Sequence, residues 1–345
     1  MTPRPPRLEG TVLLPDRRTL GFAEFGPPNG KAVFWFHGTP GARRQIPPEA
    51  RLAAEELGVR LIGIDRPGVG DSTPHLYPSL QDWAADIGKV ADRLGIGRFG
   101  LIGLSGGGPY VLACAHAFPK RVVAAAILGG VAPTQGPDAA EGGLVAFATR
   151  FEPLFAHLHE PLGVMLTLLI WALRPVASPG FNLFVHFSPV GDQAVFERPE
   201  MKAMFIDDLL HGSRWGLRAP IYDVLLFSRP WGFRLRDIQV PIRFWHGDAD
   251  HLVPLAHGQH QARLIRDAIL HVRPGESHLG GLAAAEEVLD AILSLWPADA
   301  KQRKSNGAGK TRSVKLRSQG KRTKRSSAGK SGTQVSPDVT EKFRL

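Results

Sequence analysis

Continuous apolar runs bounded by Gly and Pro recur along this chain, and between them lie segments whose apolar positions repeat with helical spacing. The runs 20–25, 32–37, 59–65, 99–104, 122–128, 242–246 and 269–272 predict strands. Several are apolar without alternation, the pattern of strands covered on both faces. Residues 47–57, 79–94, 109–118, 254–265 and 281–295 predict helices. Strands and helices in alternation mean βαβ units, hence an α/β fold on a mostly parallel, doubly wound sheet. The alternation lapses between about 133 and 237, where Phe147, Phe151, Phe155, Trp171, Phe181 and Trp215 stand in a segment of helical character, and it resumes at Val240. The expected organisation is a core in two parts, 1–132 and 238–298, a helical cap inserted at 133–237, and a tail at 299–345.

One junction in this pattern can carry chemistry. Ser105 lies in Gly103-Leu104-Ser105-Gly106-Gly107, directly after the apolar run 99–102 and directly before Pro109, where a helix can begin. A serine at a strand-to-helix turn takes a strained backbone conformation that lifts its hydroxyl above the sheet, and small residues two positions either side let strand and helix approach. A serine hydroxyl becomes a useful nucleophile only when an imidazole takes its proton and a carboxylate orients that imidazole. Both partner types follow downstream, in Gly247-Asp248-Ala249-Asp250-His251 after one strand and Gly275-Glu276-Ser277-His278-Leu279-Gly280 after the next.

With these residues in the order Ser, Asp, His after successive strands, the chain resembles the α/β-hydrolase superfamily over about residues 15–298. The resemblance implies the α/β-hydrolase fold with its helical cap between strands 6 and 7. It assigns the nucleophile to Ser105, the acid to Asp250 and the general base to His278, and leaves Asp248 to cap the turn. His37-Gly38-Thr39-Pro40-Gly41 stands where relatives carry their oxyanion loop. Pro40 has no N–H to give, so the donors expected are the backbone amides of Thr39 and Gly106. His37 is expected to orient that loop, and the turn-rich stretch 65–72 to be structural.

The superfamily also sets exclusions and an alternative. Haloalkane dehalogenases and epoxide hydrolases on this fold use Asp where this chain has Ser105, so the resemblance favours acyl chemistry: a serine hydrolase of carboxylic esters or related acyl compounds with apolar groups. The runner-up is a proline-iminopeptidase-like aminopeptidase, a family that typically has a second glycine where Thr39 stands and binds the substrate amine with cap glutamates. Glu152, Glu160, Glu197 and Glu200 are available for that role. His251, His257 and His260 are close in sequence but lack a third ligand at motif spacing, and a solvated helix face is expected. The run Gly106-Gly107-Gly108 lacks both phosphate-loop spacings. No metal or cofactor is expected, and the partner is a small acyl substrate.

Charge changes the picture only at one end. Of the net +10 over 345 residues, residues 301–345 hold 14 Lys and Arg against 2 acids, while the other 300 hold 28 basic and 30 acidic residues. The body is near neutral; the Ser-, Gly- and Lys-rich tail has too few apolar residues to offset its ordering entropy, and disorder is expected there. Fourteen cations without interleaved aromatics suit salt-sensitive contact with nucleic acid or anionic lipid, around a non-catalytic body in the reading furthest from an enzyme; a plain solubility tail is the bland alternative. The single Cys114 excludes an internal disulfide and no apolar segment follows the first charged residues, so a cytoplasmic location is expected. The longest apolar stretch, 162–173, is too short to span a bilayer; it is expected to pack over the core, with lying on a membrane surface as the alternative.

Overall fold

The computed structural model describes residues 4–143 and 151–297; the expected tail at 299–345 lies outside them, as does Phe147. Eight strands form one sheet: β1 (Leu8–Leu13), β2 (Thr19–Phe25), β3 (Lys31–Phe36), β4 (Val59–Ile64), β5 (Phe99–Leu104), β6 (Val122–Leu128), β7 (Ile242–Gly247) and β8 (Ala268–Arg273), in the order β1-β2-β4-β3-β5-β6-β7-β8. β2 runs antiparallel to β1 and β4, and β3 to β8 are parallel. β1 escaped the sequence pattern because it is an edge strand: Leu8 and Leu13 are exposed and Val12 alone is buried, so no apolar period develops.

The side-chain period of two sorts the central strands onto two cores. In β3, Phe34 and Phe36 face one core with Trp83, Phe99 and Tyr110, and Val33 and Trp35 face the other with Ala50, Leu289 and Ile292. Helices α2 (Leu80–Arg93), α3 (Gly108–Ala117) and α9 (Leu255–Leu264) cover the first face; α1 (Pro48–Glu56) and α10 (Ala285–Ser294) cover the second. Both faces are thereby removed from water, which is why β3, β5 and β6 read as unbroken apolar runs.

Between β6 and β7 the described chain is helical: α4 (Glu152–Leu173), α5 (Ala177–His186), α6 (Val190–Phe196), α7 (Pro199–Gly212) and α8 (Ala219–Phe227). The stretch 162–173 departs from expectation. Within α4 only Gly163 and Thr167 are buried, and Met165, Leu168 and Leu169 are more than half exposed. Helix also continues beyond the apolar stretch itself, over Glu152–His186, which by length and composition is enough to cross a membrane.

Candidate active site

β5 is buried along its whole length and ends at Leu104, and the chain then turns through Ser105–Gly107 into α3. Ser105 has φ +51°, a left-handed conformation that costs a non-glycine residue roughly 1–3 kcal/mol. Close approach explains its small neighbours. A Cβ on Gly103 would fall 2.7 Å from Val111 Cγ2 and 2.8 Å from the Gly107 backbone, and one on Gly107 would fall 2.3 Å from the Phe36 carbonyl oxygen. Strand, turn and helix are packed backbone to backbone, and the serine side chain is left partly accessible at the end of the sheet.

Asp250 follows β7 and His278 follows β8, and the parallel order of these strands brings both loops beside Ser105. The Ser105 hydroxyl donates to His278 Nε2 at 2.8 Å, and His278 Nδ1–H donates to Asp250 Oδ2 at 2.8 Å. Asp250 Oδ1 accepts the amides of Leu252 and Val253, each at 2.9 Å, so both carboxylate oxygens are engaged. Burial opposes charge on Asp250, but the nearby His246 imidazole and the hydrogen bond from His278 outweigh it and hold the carboxyl well below the usual carboxylate range. An ionised, acceptor-only Asp250 fixes the proton of His278 on Nδ1 and leaves Nε2 free to accept from the serine. Asp248 instead takes the Gly275 amide at 2.7 Å, tying the two loops together.

Thr39 and Gly106 are neighbours across the turn: a Cβ on Gly106 would lie 2.3 Å from Thr39 Oγ1. The loop bearing Thr39 is clamped by Arg66, which is fully buried. Its guanidinium donates to the carbonyls of His37 and Gly38 at 2.5 and 2.8 Å and to Thr39 Oγ1 at 2.9 Å. Asp223, on α8, completes the clamp: it accepts two bonds from Arg66 at 2.7 and 3.1 Å, the Thr39 hydroxyl at 2.5 Å and the Tyr110 hydroxyl at 2.6 Å. Burial, then Asp223, pushes the Tyr110 phenol up, so it stays a donor. His37 donates from Nδ1 to Gly38 O and accepts the Arg66 amide at Nε2, and its burial beside Arg66 depresses its pKa well below the ordinary value. It is held neutral and orients the loop.

Several residues that hold the site were not singled out in the sequence. Arg66 sat inside a stretch read as a structural turn, and Asp223, 157 residues from it, carried no signal at all. Asp192, buried on α6, accepts the Leu279 amide at 2.8 Å and so fixes the loop of His278. His246 donates from Nε2 to Val253 O at 2.7 Å and lies 3.4 Å from Asp250 Oδ2. Gly129, with φ +55°, leaves room: a Cβ there would come within 3.4 Å of His278 Nδ1 and 3.5 Å of Asp250 Oδ2. His257 and His260 correct an expectation. They do not form a solvated face; His257 is 1% exposed and bonds the Ala132 amide and Gly142 carbonyl, and His260 bonds the Asp138 carbonyl, pinning the chain that leaves β6. Among the described residues no group of three or more His, Cys, Asp or Glu could hold a metal ion.

Ser105 and His278 open onto a cavity of about 590 Å³ between the sheet end and the helices, walled largely by apolar side chains such as Leu166, Ile170, Phe181, Phe196 and Leu217. None of Glu152, Glu160, Glu197 and Glu200 lines it. Glu160 is engaged by Arg218 and Tyr222, and Glu200 by Arg198. Among the described residues the one acid in the wall is Asp208, whose two oxygens take the amides of Ala42 and Arg44.

Sheet order, left-handed serine and serine-histidine-aspartate chain together define an α/β-hydrolase architecture. Residues 31–283 match the alpha/beta hydrolase fold family, and the chain belongs to it. It is 24% identical over 291 residues to a bifunctional esterase/perhydrolase of Acinetobacter calcoaceticus, covering 83% of this chain and 98% of that one. It is also 34% identical over 113 residues to a proline iminopeptidase of Xanthomonas citri, but this spans 32% of this chain and 36% of the relative. Among solved structures, a hydrolase from Pseudomonas aeruginosa superposes with TM-score 0.60 at 18% identity, covering 83% of this chain and 98% of that one. An esterase from Rhodococcus sp. ECU1013 gives 0.57 at 22% identity, with 84% and 99% covered.

Proposed function

We propose that the chain is a serine hydrolase of carboxylic esters with apolar groups, working through a covalent acyl-enzyme. The observation that carries this reading is the continuous Ser105–His278–Asp250 chain at the floor of an apolar cavity. Ser105 Oγ attacks the ester carbonyl while His278 Nε2 takes its proton, and Asp250 stabilises the imidazolium so formed. The carbonyl oxygen gains negative charge, which the amides of Thr39 and Gly106 are suited to bind. His278 returns the proton to the departing alcohol; water then attacks the acyl-enzyme with His278 as base, and the acid leaves with Ser105 restored.

An aminopeptidase must hold a substrate ammonium. The partial likeness to proline iminopeptidases favours that second reading, and the exclusion of all four glutamates from the cavity wall opposes it. Hydrolysis of p-nitrophenyl esters of increasing acyl length by the purified chain and by Ser105→Ala, with prolyl-p-nitroanilide alongside, tests both. Ester turnover abolished in the variant is expected, with an optimum that measures the cavity. Cleavage of the prolyl anilide alone would replace the esterase with the peptidase.

A further inference from the structure

A helix apolar all round belongs in a protein core or against lipid. The run Glu152–His186 is predominantly apolar and little of it is buried: only Gly163 and Thr167 in α4, and no residue of α5. Leu154, Leu158, Met165, Leu168, Leu169 and Trp171 are 41–59% exposed, and Phe187, just past α5, is 78% exposed. Between Glu160 and Asp192 the chain has one charged residue, Arg174, and its guanidinium turns back to the Leu210 carbonyl and the Ser213 hydroxyl. An unbroken apolar surface of this kind is a binding face.

The inner side of α4 is fastened to the body. Thr167 Oγ1 accepts the Leu217 amide at 2.9 Å, Trp171 Nε1 donates to Ser213 O at 2.8 Å, and Glu160 bonds Arg218 and Tyr222. The held side carries Glu160 and Arg218, whose charges are costly in hydrocarbon, whereas the free side can lie in the headgroup region. The face also runs into the cavity: Leu173, Val176 and Phe184 line it and are 47–59% exposed. A second copy laid against this face would close that mouth, and lipid would supply it. The chain's own C-terminal segment is a poor cover, since residues 301–345 hold six apolar side chains larger than Ala. Their 14 Lys and Arg against 2 acids complement anionic headgroups instead, and reversible membrane binding becomes firm when an apolar and a cationic signal act together.

We propose that the outer face of α4 and α5 docks on a lipid bilayer, seated in the plane of the headgroups with the cavity mouth turned to the lipid, and that the cationic segment strengthens docking on anionic surfaces. The docking stands apart from the esterase reading, because its assay reads binding. The full-length chain is sedimented with vesicles of phosphatidylcholine, or of phosphatidylcholine with phosphatidylserine. It is expected to pellet with both, more with the second, and added salt should remove only the increment due to phosphatidylserine. The triple variant Met165→Glu, Leu168→Glu, Leu169→Glu, on exposed positions outside the cavity wall, should bind either vesicle at least about tenfold more weakly with an unchanged thermal transition. Brominated phosphatidylcholine should quench wild-type tryptophan fluorescence, and Trp171→Phe should lessen that quenching, which tests the face without adding charge. Wild-type chain that stays in the supernatant with both vesicles would overturn the proposal. So would a triple variant that pellets like the wild type, or a wild-type dimer in light scattering that the triple variant converts to monomer, since the face would then join two copies.

Discussion

Helices α3 and α4 are both rich in apolar residues, and they meet opposite surroundings. From Gly108 to Ala115 every residue of α3 is buried, whereas in α4, more than twice as long, two residues are. The difference lies in their neighbours. α3 is wedged between α2 and the sheet, where each side chain displaces water on all sides, and its start is locked to the turn of Ser105. α4 touches α8 and the segment before it along one stripe. Apolar composition says that a helix wants cover; the packing around it says whether the protein itself provides that cover.

The same division separates rigidity from access at the site. Ser105, His278 and the Arg66–Asp223 clamp belong to the packed region, and most of the apolar cavity wall belongs to the helices between β6 and β7. Perturbing the packed region should therefore have the larger consequences. Ser105→Ala or His278→Ala should lower ester turnover by about 10⁶-fold with the thermal transition unchanged, because each ends proton transfer at the reacting oxygen. Asp250→Asn should lower it about 10⁴-fold, the imidazole being left in the wrong tautomer. Near-normal rates in any of these would place the chemistry elsewhere.

Asp223→Ala should destabilise the chain by about 3–5 kcal/mol, seen in urea unfolding, since it strands a buried guanidinium. It should also lower kcat more than it raises KM, because the loop it frees carries the Thr39 amide proposed to bind the oxyanion. The helix comparison has a direct test in two like substitutions. Leu112→Ala in α3 should cost about 2–5 kcal/mol, and Leu168→Ala in α4 should stay within about 0.5 kcal/mol. Equal costs would mean that α4 is covered in solution.

A pH-dependent effect concerns Asp208, which joins the two regions by holding the Ala42 and Arg44 amides from α7. Burial pushes its carboxyl up to about 7 from the usual 3.8. Between those values the folded chain keeps a proton that the unfolded chain gives up, so this residue's contribution is present at low pH and is lost as pH rises to about 7. Urea midpoints of the wild type and Asp208→Asn should accordingly diverge across that window, with the variant showing the flatter slope. Parallel curves would mean that Asp208 is ionised in the fold.

The sequence by itself determined the parts whose signals are local. Unbroken apolar runs with helices between them require a sheet covered on both faces, and all seven runs are strands here. Gly103, Ser105 and Gly107 announced a turn in which backbones nearly touch, and parallel topology put the loops holding Asp250 and His278 at the same sheet end. What only the tertiary structure decided is partnership across distance. Arg66 and Asp223 are 157 residues apart, and Asp192 and Leu279 are 87 apart. Neither pair leaves a period or motif, since a hydrogen bond between distant residues constrains two positions and no pattern between them. The exposure of α4 is decided in the same way, because burial depends on what the folded chain places beside a helix, and an apolar sequence records only the demand for cover.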